Sequence, residues 1–461
     1  MNVKFSKIVN KILGRGEKVH HSIIPRDEKA HTAHTIPRAQ HNISRAAIPE
    51  NALKVLYGLK KAGYGAYLVG GCVRDLLLGK IPKDFDITTD ASPEEIRKLF
   101  RNCILIGRRF RLAHIRFGRE IYEVATFRAR LDSTHPEYKH DKGMILRDNV
   151  YGTMEEDAFR RDFTVNALYY DIKDFSVIDY CDGMGDLLQK KLRMIGDASE
   201  RYHEDPVRLL RVIRFAAKLE FHIDHATSAP IAELSGLLAN IPPARLFDET
   251  LKLFLSGHSY LTFQLLREYH LFEQLFPQTN ANLEQLNDKT MLAFIQQGFK
   301  NTDERIAAGK SINPAFLLSV LLWQPLQSIL NQHHSKKIPL LGILDKSMQT
   351  VLSKQIQRTT IPRRFTLIIR EIWLLQYHFK RRTERFALHL LQHRRFRAAY
   401  DFLLLRGQAG ENLEGLDSWW TAFLEGDDAI RNELLSSIPQ PTKPKRRRHK
   451  RAPKKPQSET H

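Results

Sequence analysis

Residues 68–89 read LVGGCVRDLLLGKIPKDFDITT and bring together two glycines, an Arg-Asp pair and two closely spaced carboxylates. The carboxylates are Asp84 and Asp86. The alternation over 83–88 suits a β-strand, on which residues two apart face the same way, so the two acids should converge. Magnesium asks for oxygen ligands and is usually held by one or two carboxylates together with substrate phosphates. Two such ions about 3.5–4 Å apart would activate an attacking hydroxyl and steady a departing pyrophosphate. Upstream, Gly70 and Gly71 separate a strand-like run, 66–69, from a helix-like run, 73–78, with Gly79 placed as its C-cap. Glycines at such a junction let backbone N–H groups approach phosphate, aided by the helix N-terminus. A lone DxD is more often a solvated loop. Joined to GGxVRDxLLG at this spacing, it points to a bound nucleoside triphosphate.

The elements that must position these groups can be traced along the chain. Ser92, Pro93 and Glu95 form an N-terminal helix signature of cap, N1 proline and N3 glutamate. Strand-like runs follow at 112–117 and 121–127. Glu123 alternates there with Tyr122 and Val124, so it would face the pocket of the aspartates, with Arg128 near the edge. The polar stretch 131–149 reads as a loop over the site. A second charged cluster, EEDAFRRDFTVNAL at 155–168, carries Asp162 beside Arg160 and Arg161, whose guanidinium groups suit bidentate phosphate contact. A third, EDPVRLLRVIRF at 204–215, reads as the start of a helix with Asp205 and Arg208 on one face. Arg211 and Arg214 continue that stripe, either to meet phosphate or RNA or to serve as surface ion-pair partners.

Together these segments resemble the head signature of the class II template-independent nucleotidyltransferases, the group holding bacterial poly(A) polymerases and CCA-adding enzymes. Within it the chain is most similar to the bacterial poly(A) polymerases, through Ile43-Ser44-Arg45, the runs 49–56, 98–103 and 107–114, and much of the later helical region. The resemblance spans roughly 36–440 and is least specific beyond about 340. It implies an α+β fold, with a small mixed-sheet, polymerase β-like head followed by an all-helical neck and body. It also implies ATP as substrate, two Mg²⁺ held by Asp84 and Asp86, and Asp162 as third catalytic carboxylate, with Glu123 as the alternative. Gly70, Gly71, Arg74, Asp75 and Arg161 would bind the nucleotide. In such proteins the pair matching Asp205 and Arg208 reads the base in place of a template. A carboxylate accepts from an exocyclic amine while a guanidinium donates to the adjacent ring nitrogen, a pattern offered by adenine and cytosine but reversed in guanine and uracil. The expected activity is template-independent addition of AMP to RNA 3′ ends, of mRNA and small RNAs, marking them for decay, with RNA-decay proteins as partners. The rival readings are a CCA-adding tRNA enzyme and a non-catalytic RNA-binding shell.

Composition agrees with a polyanionic partner. The net charge of +20 is concentrated at the ends: residues 1–45 hold nine Lys/Arg against three Asp/Glu, and 440–461 hold nine against one. Expected divisions are a basic extension (1–45), the head (46–185), a neck reading the base and binding RNA (186–270), a body binding RNA (271–439) and a disordered basic tail (440–461). In that tail Lys445, Arg446, Arg447 and Arg448 suit counterion-releasing contact with RNA phosphates. Arg211 and Arg214 are further RNA-binding candidates. Phe5, Ile8, Val9, Ile12 and Leu13, interleaved with lysines, make a basic amphipathic helix that would touch a membrane, bind RNA or dock on the body. No apolar run reaches the roughly 20 residues of a transmembrane helix, the segment 316–323 being a buried helix, and no signal peptide is evident, so a cytoplasmic location is expected. Cys72, Cys103 and Cys181 lack metal or disulfide spacing. Between 384 and 405, Phe386, Phe396, Tyr400 and Phe402 alternate with arginines, as base-stacking platforms or, more commonly at helical spacing, as core.

Overall fold

A computed structural model describes residues 32–107, 111–129, 140–141, 144–145, 150–286, 289–333 and 340–437. The N-terminal amphipathic segment, most of 131–149, and the tail with Lys445, Arg446, Arg447 and Arg448 lie outside the described residues. Among those described, eight strands make one mixed sheet: β1 His34–Ile36, β2 Ala66–Val69, β3 Ile87–Thr89, β4 Cys103–Ile106, β5 Leu112–Phe117, β6 Glu120–Thr126, β7 Leu168–Asp171 and β8 Val177–Asp179. Their order is β1-β8-β7-β2-β3-β6-β5-β4, and only β3 and β6 pair in parallel. The central strands are buried on both faces, as in LYYD of β7, where all four residues are buried.

Three short helices flank the sheet. Helix α1, Glu50–Lys61, buries Ala52, Val55, Leu56 and Leu59, a stripe of helical period. Helix α2, Gly71–Leu77, starts directly after β2. Helix α3, Pro93–Leu99, carries the full capping box, with Ser92 and Glu95 satisfying each other's backbone N–H groups.

Two expectations need correction. The strand expected over 83–88 begins only at Ile87; Asp84 and Asp86 lie on the extended lead into β3, and the Val69 N–H donates to the Asp86 carbonyl at 3.1 Å. The Asp86 backbone thus still holds to β2, while both acids stay exposed. The helix expected from 204 onward is two helices, α4 Ala198–Glu204 and α5 Val207–Leu219. Asp205 between them is extended, at φ −148° and ψ 96°, because the residue before Pro206 is driven out of the helical region. Asp205 and Arg208 therefore do not share one helix face.

Helix α5 is strongly amphipathic. Leu209, Leu210, Val212, Ile213, Ala216 and Ala217 are buried in the neck, which leaves Arg211, Arg214, Phe215 and Lys218 on the opposite side. It packs on α6, Pro243–Phe254, which starts on a proline at its first turn. Beyond Ser259 the described residues are helical. The helix Pro314–Leu321 lies against Arg363–His378, which lies against Phe396–Gln408. Phe396, Tyr400 and Phe402 are buried, and Phe402 packs against Phe294 and Trp323. These aromatics are core.

Candidate active site

A cavity of about 920 Å³ opens between the sheet and helices α5 and α6, near the upper end of the roughly 300–1,000 Å³ usual for small-molecule sites. Gly70, Gly71, Arg74, Asp75, Asp84, Asp86, Arg161, Asp162, Arg211 and Arg214 all line it. One cavity thus collects the glycine turn, the acid pair and the RRD segment, drawn from stretches more than 70 residues apart.

The glycine turn is built for close approach. Gly70 has φ +73°, and a Cβ there would lie 3.2 Å from Arg161 Nη1 and 3.4 Å from the Asn166 carbonyl. Only glycine adopts this backbone without strain. Gly71 is different: a Cβ would meet only Arg74 Nη2, at an ordinary 3.6 Å. Folding alone does not demand glycine at 71. Arg74 is buried at the cavity wall, where Nε donates to Asp75 Oδ1 at 2.8 Å and Nη1 donates to Asn166 Oδ1. Arg161 donates from Nη2 to Asp157 Oδ2 at 2.9 Å and from Nε to the Tyr169 hydroxyl at 3.2 Å.

Electrostatics separate the acids. Asp86 is exposed at the cavity, and its pKa is pushed up to about 6 by desolvation from the surrounding protein, then by the charge of Glu123, with Arg161 opposing and Asp84 adding. The parallel register explains Glu123: Ile87 pairs with Val124, so the preceding rung sets Asp86 beside Glu123. A carboxyl that resists ionisation because other carboxyls crowd it is a place for a cation. Among the described residues Glu123 also pairs with His114, at 3.3 Å, and its side chain is half exposed.

Asp162 has the opposite character. Burial opposes its charge, but Arg211 and the hydrogen bonds from Arg211, Asn166 and the Phe163 N–H hold its pKa below the usual carboxylate value. Oδ2 accepts from Arg211 Nε at 2.8 Å and from Nη2; Oδ1 accepts from the Phe163 N–H at 2.9 Å and Asn166 Nδ2 at 3.2 Å. Both oxygens are occupied. In this arrangement Asp162 is not the acid that crowds Asp86, and Arg211 is its ion-pair partner rather than a free cation.

The expected base-reading pair lies off the cavity lining. Asp205 Oδ2 accepts from Arg245 Nη2 at 2.7 Å, while Arg208 Nη1 donates to Glu204 Oε2 and to the Arg201 carbonyl, each at 2.7 Å. Asp205 is next to Arg211, whose charge it helps to sustain. Sequence reasoning missed Lys80, Ile81, Lys83, Lys218 and Lys252, which also line the cavity. The lysines flanking the DxD and the i+4 spacing of Arg214 and Lys218 were the available signals.

No three Asp, Glu, His or Cys side chains among the described residues converge closely enough to chelate an ion by themselves. Asp84 and Asp86 fit Mg²⁺ in its usual mode, two carboxylates plus phosphates supplied by the substrate. No described helix is long and apolar enough to cross a membrane.

A mixed-sheet head with a glycine turn, a DxD and an RRDFT segment around one cavity, continued by a helical neck and body, defines a nucleotidyltransferase. Residues 66–193 match the poly A polymerase head domain, 220–283 the "probable RNA and SrmB-binding site of polymerase A", and 337–454 the polymerase A arginine-rich C-terminus. The chain is 47% identical to poly(A) polymerase I of Salmonella typhimurium, over 98% of this chain and 99% of that protein. It is 46% identical to poly(A) polymerase I of Haemophilus influenzae, over 87% and 90%. It belongs to the bacterial poly(A) polymerase I family. The CCA-adding enzyme of Lactobacillus helveticus is 37% identical over only 49% of this chain and 54% of its own. Among solved structures, a CCA-adding enzyme in its apo form II superposes with a TM-score of 0.57 at 20% identity, over 87% of this chain and 95% of that one. The Thermotoga maritima CCA-adding enzyme with tRNA gives 0.56 at 21%, over 87% and 99%. These neighbours share the fold.

Proposed function

We propose that this protein is a polynucleotide adenylyltransferase that extends RNA 3′ ends with AMP from ATP, without a template, releasing pyrophosphate and marking the RNA for decay. The observation that carries the reading is the single cavity in which Asp84 and Asp86 face Gly70, Gly71, Arg74 and Arg161. Similarity along nearly the whole chain to poly(A) polymerase I, against half-length similarity to a CCA-adding enzyme, favours poly(A) addition over CCA addition.

In this reading Gly70, Gly71 and Arg74 hold the triphosphate, with Asp75 fixing Arg74 and Arg161 contributing charge. Asp84 and Asp86 would hold Mg²⁺, which supplies a lowered pKa at the RNA 3′-hydroxyl and charge neutralisation on the triphosphate. Glu123 is the third carboxylate, because it crowds Asp86. Asp162 positions Arg211 at the cavity wall. Asp205 and Arg208 read adenine once they exchange their present partners for the base. The exchange gives up the ion pairs with Arg245 and Glu204 for charge-assisted bonds to a neutral base, so it is favourable only where the base satisfies both Asp205 and Arg208. Because adenine and cytosine present the same amine and acceptor, this pair alone separates neither.

The test is an extension assay with Mg²⁺ and each nucleoside triphosphate supplied separately, on an unstructured RNA and on tRNA lacking its 3′ CCA. A long ladder on the unstructured RNA with ATP alone supports the reading. Extension of tRNA by three nucleotides, requiring CTP and ATP, would overturn it.

A further inference from the structure

The outer half of the cavity holds features that neither the metals nor the triphosphate explain. Ile81 is 96% exposed, the most exposed large apolar residue of the described chain, and it lines this cavity. It is displayed rather than loose. The Lys80 N–H donates to the Asp75 carbonyl at 2.8 Å on one side, Pro82 is buried on the other, and Phe85 packs on the core beyond. Lys80 and Lys83 flank Ile81 on the head side.

Across the opening stand Arg214 and Lys218 of α5. The other cavity cations are neutralised: Arg74 by Asp75, Arg161 by Asp157, Arg211 by Asp162 and Lys252 by Glu249. Among the described residues Lys80, Lys83, Arg214 and Lys218 have no ion-pair partner. Arg214 instead lies 4.9 Å from the centre of the Phe215 ring, around which Arg74 and Arg211 also crowd at 5.5 and 5.4 Å. The two walls line one cavity, and burial lowers the pKa of Lys218, with Asp75 opposing and the charges of Arg74, Arg214 and Lys80 lowering it further. Uncompensated cations on both sides of an opening, around one displayed apolar side chain, make a seat for a phosphodiester chain with a base between.

We propose that Ile81, with Lys80 and Lys83 on the head and Arg214 and Lys218 on the neck, forms the seat of the RNA primer's last nucleotides. Ile81 packs against the face of a terminal base, and the four cations take the adjoining phosphates. An apolar contact to a base face is indifferent to base identity, which suits an enzyme that must accept an arbitrary 3′ end first and its own adenylate afterwards. The proposal rests on the adenylyltransferase reading only for the identity of the polymer.

The full chain and the variants Ile81→Ala, Ile81→Phe and Lys218→Ala are compared by anisotropy of a labelled unstructured RNA without nucleotide, and by separate KM values for RNA and ATP. Because Ile81 is solvent-exposed, its variants should keep the wild-type melting temperature. The expected result is RNA affinity and kcat/KM for RNA about five- to tenfold lower in Ile81→Ala, with affinity restored or improved in Ile81→Phe, while KM for ATP changes less than about twofold. Lys218→Ala should reduce the slope of log affinity against log salt by about one. Unchanged RNA binding in Ile81→Ala, or a Lys218→Ala defect confined to KM for ATP, would overturn the seat and give the cations to the triphosphate. A wild-type protein that binds RNA but never extends it would instead overturn the adenylyltransferase reading, while the binding comparison still judges the seat.

Discussion

The two sides of the cavity differ in charge: acids flanked by lysines on the head, cations alone on the neck. On the head side the guanidinium groups of Arg74 and Arg161 are already matched by Asp75 and Asp157, and the groups left over are the carboxylates Asp84, Asp86 and Glu123 with Lys80 and Lys83 flanking them. On the neck side Arg211 is consumed by Asp162 of the head, and the groups left over are cations, Arg214 and Lys218. Neither side is electrostatically complete without what enters between them. The head acids lack a cation between them and the cations around the opening lack anions, and a metal-bound triphosphate meeting an RNA phosphate chain supplies both. A structural ion-pair network would have closed these groups on each other.

Substitutions that cross this division should separate cleanly. The largest effect is expected from Asp86→Asn, which removes a metal-holding charge; turnover should fall by about 10³-fold or more in single-turnover extension. Next, Glu123→Gln should cost about 10²-fold in kcat with the melting temperature kept, whereas Asp162→Asn should cost about 3 kcal/mol of stability by leaving Arg211 without its buried partner. Denaturant melts and extension rates on the two variants check the contrast. If Asp162→Asn loses turnover without losing stability, the third carboxylate is Asp162 after all. Smaller still, Gly71→Ala should melt like wild type but raise KM for ATP, since its Cβ finds room in the protein and intrudes only on a bound phosphate. Gly70→Ala should destabilise, by about 1–2 kcal/mol, through its positive φ.

The smallest effect is one of pH. The native-state pKa of Asp86 is raised to about 6, above its unfolded value, so between about pH 4 and 6 the native protein holds a proton that the unfolded chain has released. Its contribution to stability is greatest below that window and is lost as pH rises through it. In chelator, Asp86→Asn should therefore be more stable relative to wild type at pH 7 than at pH 4.5. The difference should be about 1 kcal/mol once solvent screening of this accessible group is allowed for. Mg²⁺ should remove that advantage by binding only the wild type.

The head side of the division was legible in the sequence because its parts are local. Strand, glycine turn, helix and DxD fall within about 20 consecutive residues, and Ser92-Pro93-Glu95 marks the next helix through bonds that reach only three residues. The neck side was not. The partner of Asp162 is 49 residues away, and nothing in either segment specifies that Arg211 rather than Arg160 or Arg161 will reach it. Asp205 was misplaced onto a helix because the EDxxR spacing outweighed the effect of Pro206 on the residue before it. The DxD strand was read too long because alternation continues past the point where the ladder begins. Glu123 was legible as an alternative from alternation alone, but its nearness to Asp86 depends on the β3–β6 register, which only the folded sheet sets.

The account is tested most directly by Asp84→Ala, measured for single-turnover addition of AMP to a labelled RNA and, on the same preparation, for affinity toward that RNA. Addition should be lost while RNA affinity stays within about twofold of wild type, because the acids serve the metal while Ile81 and the cations of both sides serve the polymer. Retained addition, or a parallel loss of RNA binding, would contradict the division of labour between the two sides.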